Sequence, residues 1–233
     1  SDMILTDDNF VSIVSAIEEG RGIYDNIKKF FAFLISGNIG EVMVIFLAIL
    51  FGLPLPITAT QILLINLVTD GLPAVALGAD PFEPNAMKRK PRDKKEPIYK
   101  NLNHFIIYYP IIMIVTVLGL FYYIYTTTNN LAKAQTITFL TIAMFELYQA
   151  FASRSTIYSS FKVGIFKNKW LIGAVLISLL VSLAVIYTPF LQLLFDTFPL
   201  TIGEVFTVIL LSSLGFIYLE LHKTLKKKEN EYN

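Results

Sequence analysis

The stretch TATQILLINLVTDGLPAVALGAD, residues 58–80, decides how this chain is read. The window from Thr58 to Leu77 is long enough to cross a bilayer as a helix, about 30 Å. Asp70 nevertheless lies near its middle. A carboxylate at that depth is costly, and by default it marks a functional site. Asn66 and Asp70 are four residues apart, so they share a helical face, with Thr69 beside them. Gly71 and Pro73 weaken the helix immediately afterwards. Amide, hydroxyl and carboxylate oxygens next to loosened backbone carbonyls make a cradle suited to a hard cation. The same residues could also serve as a polar contact between helices.

Composition places this stretch in a polytopic membrane protein. Of 233 residues, 55% are hydrophobic and 16% charged, against about 25% charged in an ordinary soluble domain. The absence of cysteine excludes disulfides, zinc–thiolate sites and cysteine nucleophiles. The two histidines, His104 and His222, lie far apart in the sequence without ligand spacing. A net charge of +1 carries no sign of a nucleic-acid partner. Asp2, Asp7 and Asp8 precede any apolar run, which is not the pattern of a signal peptide. The chain opens SDM in an amphipathic stretch, and we expect a polar region ahead of it.

Working back from residue 58, GLPLPIT (52–58) reads as a short uncharged turn, so the segments on either side form a tight hairpin. The earlier segment is apolar from Phe30 to Phe51 and contains Asn38 and Glu41, three residues apart on one face. The hairpin brings Glu41 and Asp70 face to face, close enough to share a cation or a proton. Gly37 and Gly40 permit close approach by a neighbour. Phe10, Ile13, Val14 and Ile17 recur at helical spacing behind an Asp or Asn cap near residue 8. This stalk would extend the first helix to about 60 Å.

Working forward, spans are expected at about 30–51, 58–78, 102–125, 132–152, 170–188 and 201–221. The expected fold class is all-α, a bundle of six transmembrane helices (30–222) with an N-terminal helical stalk (1–29) and a tail (223–233). Residues 80–100 hold seven Lys/Arg, four Asp/Glu and four prolines, and read as a solvated loop. Residues 154–169 are polar and basic, and FKVGIFKNKW reads as lying along the membrane surface. Glu146, with Gln149 three residues on, either joins the site or bonds to a neighbouring helix. The stalk, these two loops and the tail hold 18 of the 19 Lys/Arg, and only Lys133 falls on the other side. The positive-inside rule then puts both termini in the cytoplasm.

Four runs carry a resemblance: DMILTDDNFVSIVSAIEEGRGIYDNIKKF, SGNIGE, LLINLVTDGLPAVALGADP and MKRKPRDKKEPI. Together they resemble the C-terminal transmembrane part of a P-type cation-transporting ATPase of the calcium-pump type, its fifth to tenth helices. The resemblance implies that Asn38, Glu41, Asn66, Thr69 and Asp70 are cation ligands and that calcium is the transported ion. Aligning TIAMFE on the pattern of the eighth helix puts Ala143 where two-site calcium pumps carry a glutamate. Glu146 falls one turn further on, which favours one principal ion site as in plasma-membrane pumps. Glu146 is then held by Gln149, compensates from one turn away, or stands near a third position of the sodium-pump kind.

The chain contains no DKTG, TGE, GDGxND or PEGL run and no Gly-rich phosphate loop. Without the phosphorylated aspartate it is not expected to hydrolyse ATP by that family's route. The resemblance therefore implies a partner region comprising four further helices and the actuator, nucleotide-binding and phosphorylation domains. Magnesium and ATP would act there, and the bilayer would be that of the cell membrane. A stand-alone six-helix regulatory or assembly module is the alternative, as is a pump fragment with sodium, manganese or proton-coupled specificity.

Overall fold

The computed structural model describes residues 9–82, 86–89, 91 and 95–232, with side chains as far as 225. Asp2, Asp7 and Asp8 lie outside the described residues, as does much of the charged loop expected at 80–100. Among the described residues every regular element is helical.

Helix α1 runs Phe10–Leu50, 41 residues or about 61 Å. Asn9 caps it, its side-chain oxygen accepting from the backbone N–H of Val11 at 3.0 Å. Stalk and first span are thus one continuous rod. Gly52, at φ +69°, turns the chain, and a capping box between Thr58 and Gln61 starts the next helix.

Helix α2, Ala59–Gly78, contains a π-helical turn over Ile65–Asp70. Sequence reading expected a weakened helix after the cluster, at Gly71 and Pro73. Instead the helix continues, and the wide turn falls on the cluster itself. Helix α3, His104–Thr128, repeats the device with a π turn over His104–Tyr108 just before Pro110. Helices α4 (Leu131–Ala152), α5 (Lys169–Tyr187) and α6 (Ile202–Tyr232) follow. The expected separate tail after residue 222 is helical as far as Tyr232, since HKTLKKKENEY has no glycine or proline to stop it.

α4 stands at the centre and touches every other long helix. It is buried around most of its circumference, from Ala134 to Ala152. This explains its composition. Five helices, α1, α2, α3, α5 and α6, are long and apolar enough to cross a membrane. α4 has the length, but its Thr, Gln and Glu residues lower its hydropathy, because its neighbours are helices rather than lipid. The outer faces of the others carry unpartnered apolar residues such as Val42, Leu67, Val75, Val115 and Leu180, as a helical membrane bundle requires.

Two groups read from the sequence as solvent-facing are buried. Asp80 opens the charged loop and Arg154 opens the basic one, yet neither side chain is exposed. Asp80 Oδ2 accepts from Lys29 Nζ at 2.9 Å, while Oδ1 accepts from Arg154 Nε at 2.9 Å and Asn168 Nδ2 at 2.8 Å. Asn26 donates to the Asp80 backbone carbonyl at 2.7 Å. The node ties α1, the end of α2, the end of α4 and the start of α5. Burial is possible because each charge is paired and hydrogen-bonded. Folding also stacks the distant His104 and His222, with ring centroids 3.3 Å apart.

Asp80→Asn removes the anion between two buried cations, so a loss of about 3–5 kcal/mol is expected. The check is a lower thermal unfolding midpoint of the purified chain in detergent. An unchanged midpoint would show the node to be dispensable.

Candidate functional site

Glu41 lies midway along the apolar part of α1, Asp70 closes the π turn of α2, and Glu146 sits on α4. One carboxylate oxygen from each lies within 4.8 Å of the others, and all three residues are buried. The expected meeting of Glu41 and Asp70 across the first hairpin is present, and a third carboxylate joins them.

The local structure explains how. In an α-helix a Pro at 73 leaves the carbonyl of residue 69 without its usual donor. The π turn widens the ladder just before that proline. Ser178 Oγ, from α5, donates to the carbonyl of Val68 at 2.9 Å and so supports the widened turn from outside. Thr69 Oγ1 stands 2.6 Å from Glu146 Oε2 and 3.0 Å from its own helix at Ile65 O. Its one proton serves one of these at a time. Asn66 Nδ2 donates to Glu41 Oε2 at 3.2 Å and to Ile62 O at 3.0 Å. Asn38 donates to Leu34 O at 2.8 Å, one turn back on its own helix. It is not drawn into the carboxylate cluster by a hydrogen bond. Together with Asn66, Asp70 and Gly71 it lines an open groove of about 580 Å³ along α1 and α2.

Four oxygens of the cluster are buried without a hydrogen-bond partner: Glu41 Oε1, both of Asp70, and Glu146 Oε1. Buried polar atoms are rarely left so, and three carboxylates that close repel one another unless a cation or protons intervene. The arrangement is an oxygen-only donor set of the kind that suits hard cations.

Of the alternatives open for Glu146, one has Gln149 hold it away from the site. Gln149 Nε2 instead donates to Ser36 Oγ and to Phe33 O on α1, and Glu146 points to Thr69 and Asp70. Ala143, to which the aligned pattern gave the glutamate position, is a buried apolar residue. The two glycines of α1 also separate in role. A Cβ at Gly40 would lie 2.6 Å from Met113 Sδ, so Gly40 admits α3. A Cβ at Gly37 would lie 3.6 Å from Asp70 Oδ1 and 3.8 Å from Glu146 Oε1, so Gly37 keeps the space beside the carboxylates clear.

Residues 54–225 match the family model for the C-terminus of cation transporting ATPases. The chain belongs to that family. It is 44% identical over 230 residues to a calcium-transporting ATPase of Bacillus subtilis, which covers 98% of the chain and 26% of that protein. It is 37% identical to calcium-transporting ATPase 1 of Saccharomyces cerevisiae, covering 99% of the chain and 24% of the relative. It is 38% identical to calcium-transporting ATPase type 2C member 1 of Homo sapiens, covering 99% and 25%. The chain thus spans about a quarter of the length of these relatives. The family model begins after Asn38 and Glu41, but the alignments with the relatives extend over almost the whole chain and include α1. The resemblance to the membrane region of calcium-pump-type P-type ATPases, first carried by four short motifs, therefore holds along the chain.

An added methyl at residue 37 meets the carboxylate oxygens at ordinary contact distance. Gly37→Ala is therefore expected to leave the unfolding midpoint almost unchanged. It should weaken divalent-cation affinity about ten-fold, or 1.4 kcal/mol, in equilibrium binding to the intact pump. Unchanged affinity would show that the space beside Gly37 is not part of the site.

Proposed function

We propose that this chain is the cation-binding and translocating membrane part of an ATP-driven pump that exports calcium across the cell membrane. The carrying observation is the convergence of four unpartnered buried carboxylate oxygens from three helices. Glu41, Asp70 and Glu146 supply the charge. Asn38, Asn66 and Thr69 supply neutral oxygens at the rim. Their identity as ligands is supported by this geometry and by the similarity to calcium-transporting ATPases.

Calcium takes six to eight oxygens. The three carboxylates fall short of that unless rim oxygens and groups from outside the chain join them. The open groove beside Asn38 and Asn66 is where such groups would enter, in keeping with a partner region containing further helices. The compactness of the cluster, within 4.8 Å, supports one principal ion centre. Bound calcium offsets two of the three negative charges, and a proton on the third would complete neutrality. Magnesium and ATP act in the partner region, where the phosphorylated aspartate would lie. In this reading α4 also crosses the membrane and brings the crossings to six, residues 1–29 are the cytoplasmic stalk, and both termini face the cytoplasm.

The test is calcium-dependent ATPase activity of the whole pump and its Glu146→Gln variant. Glutamine keeps the size and removes the charge. A loss of apparent calcium affinity of ten-fold or more is expected, about 1.4 kcal/mol. An unchanged affinity would return Glu146 to helix–helix packing. Stimulation by manganese or sodium in place of calcium would reassign the ion.

Topology is checked separately. The chain has no cysteine, so single cysteines can be introduced at Glu18 and Thr128. Thr128→Cys should be labelled from outside intact cells, and Glu18→Cys only after permeabilisation. The reverse pattern would overturn the orientation.

A further inference from the structure

The segment between α4 and α5 presents a surface that the cation site does not use. It contains the one-turn helix Ser160–Val163 and the 3₁₀ turn Ile165–Lys167, and it leads directly into α5. Phe161, Phe166 and Trp170 are 67%, 80% and 78% exposed. Lys162, Lys167 and Lys169, also exposed, alternate with them. We propose that this segment is a binding surface for anionic lipid headgroups, with the three aromatic rings seated at the headgroup–acyl boundary and the three lysines paired to headgroup phosphate and carboxylate.

Three observations commit the surface to lipid. First, it is continuous with a lipid-facing element. α5 begins at Lys169, is apolar along its length, and exposes Leu176, Ile177 and Leu180 further along. The aromatic rings therefore sit at the depth where such a helix leaves the hydrocarbon, and Trp is enriched at that level. Second, the chemistry is complementary. Lysines beside exposed aromatic rings match an anionic interface, where the stems bury along apolar surface and the ammonium groups reach the headgroups. Lys162 Nζ already lies over the Tyr158 ring at 5.4 Å, which holds its stem across the segment.

Third, the segment is held in shape by the protein. Arg154 Nη1 donates to the carbonyls of Gly164 and Ile165 at 2.6 and 3.1 Å. Gly164 has φ +90°, a conformation that side-chain-bearing residues rarely adopt. Asn168 is buried between its lysine neighbours, capping α5 through Leu171 N at 2.9 Å and donating to Ala76 O at 2.9 Å. With Asn168 turned inward, Lys167 and Lys169 are left facing outward. The backbone is bolted down, and its aromatic and basic side chains face out.

The chain carries a built-in reporter, since Trp170 is its only tryptophan. The 233-residue chain is reconstituted in vesicles of phosphatidylcholine with a minor fraction of brominated lipid, and quenching of Trp170 fluorescence is measured. Brominated phosphatidylserine should quench at least about three-fold more effectively per mole than brominated phosphatidylcholine. The selectivity should vanish in the combined variant Lys162→Gln, Lys167→Gln, Lys169→Gln. Should that variant fail to reconstitute, the wild-type chain at about 0.5 M salt gives the same reading, because screening removes the headgroup preference.

Equal quenching by both lipids would overturn the proposal, as would the absence of quenching by either. So would selectivity that survives in the combined variant. Relief of phosphatidylserine quenching by inorganic phosphate at constant ionic strength would show a free-anion site instead. Quenching that falls as protein-to-lipid ratio rises would show a second copy of the chain on the surface.

Discussion

The structure depends on the cost of holding three carboxylates away from water between helices. No single helix could carry such a group into hydrocarbon unaided. The bundle resolves this by enclosure. Glu41, Asp70 and Glu146 come from three helices and meet inside, where a cation or protons can balance them. The polarity of α4 follows from the same constraint. A helix bearing Glu146, Gln149 and several threonines stands at the centre, and the more apolar helices surround it. Several of its polar groups then find partners within the protein. Gln149 reaches Ser36 and Phe33 O, and Ser212 of α6 donates to Thr141 O at 3.3 Å.

Asp70 is placed by backbone geometry as much as by side-chain chemistry. A regular helix would align Asn66 and Asp70 at the four-residue spacing. The π turn spreads the same residues over a wider angle and brings Thr69 and Asp70 inward, while Asn66 remains exposed on the rim. The proline that follows, and the hydroxyl of Ser178 on the neighbouring helix, make the wide turn sustainable. The second π turn, before Pro110, shows the same pairing of wide turn and proline. Both arise where a helix must continue past a missing N–H.

Much of this was legible in the sequence because a bilayer leaves few alternatives. Apolar runs of sufficient length gave the helices, GLPLPIT gave the hairpin, and spacing paired Glu41 with Asp70. The π turn was not legible. Gly71 and Pro73 announced a disturbance, but its position depends on support from α5. The sequence left the alternatives for Glu146 open because its spacing to Gln149 suggested a partner, whereas Gln149 faces α1, which lies far away in sequence. Asp80 and Arg154 were misread for the opposite reason. Local composition around each is that of a solvated loop, and only the fold reveals that they pair over 74 residues. His104 and His222 show the same limit, stacked in space and unrelated in spacing.

The two nodes between α1 and α2 have a common logic. Lys29 pairs with Asp80 at one end, and Glu41 accepts from Asn66 at the other. Along α1 these are twelve residues apart, about 18 Å. Each node places an acid from one helix against a donor from the other, in opposite order. At the first the acid lies just past the end of α2 and is saturated by Lys29, Arg154 and Asn168. At the second the acid is on α1 and keeps one buried oxygen unpartnered, as do both oxygens of Asp70 nearby. The contrast separates two uses of buried charge in one hairpin. Where both carboxylate oxygens are paired, the carboxylate fixes the helices in register. Where acceptors remain open, the same helices hold three carboxylates around a space with unmet hydrogen-bonding capacity.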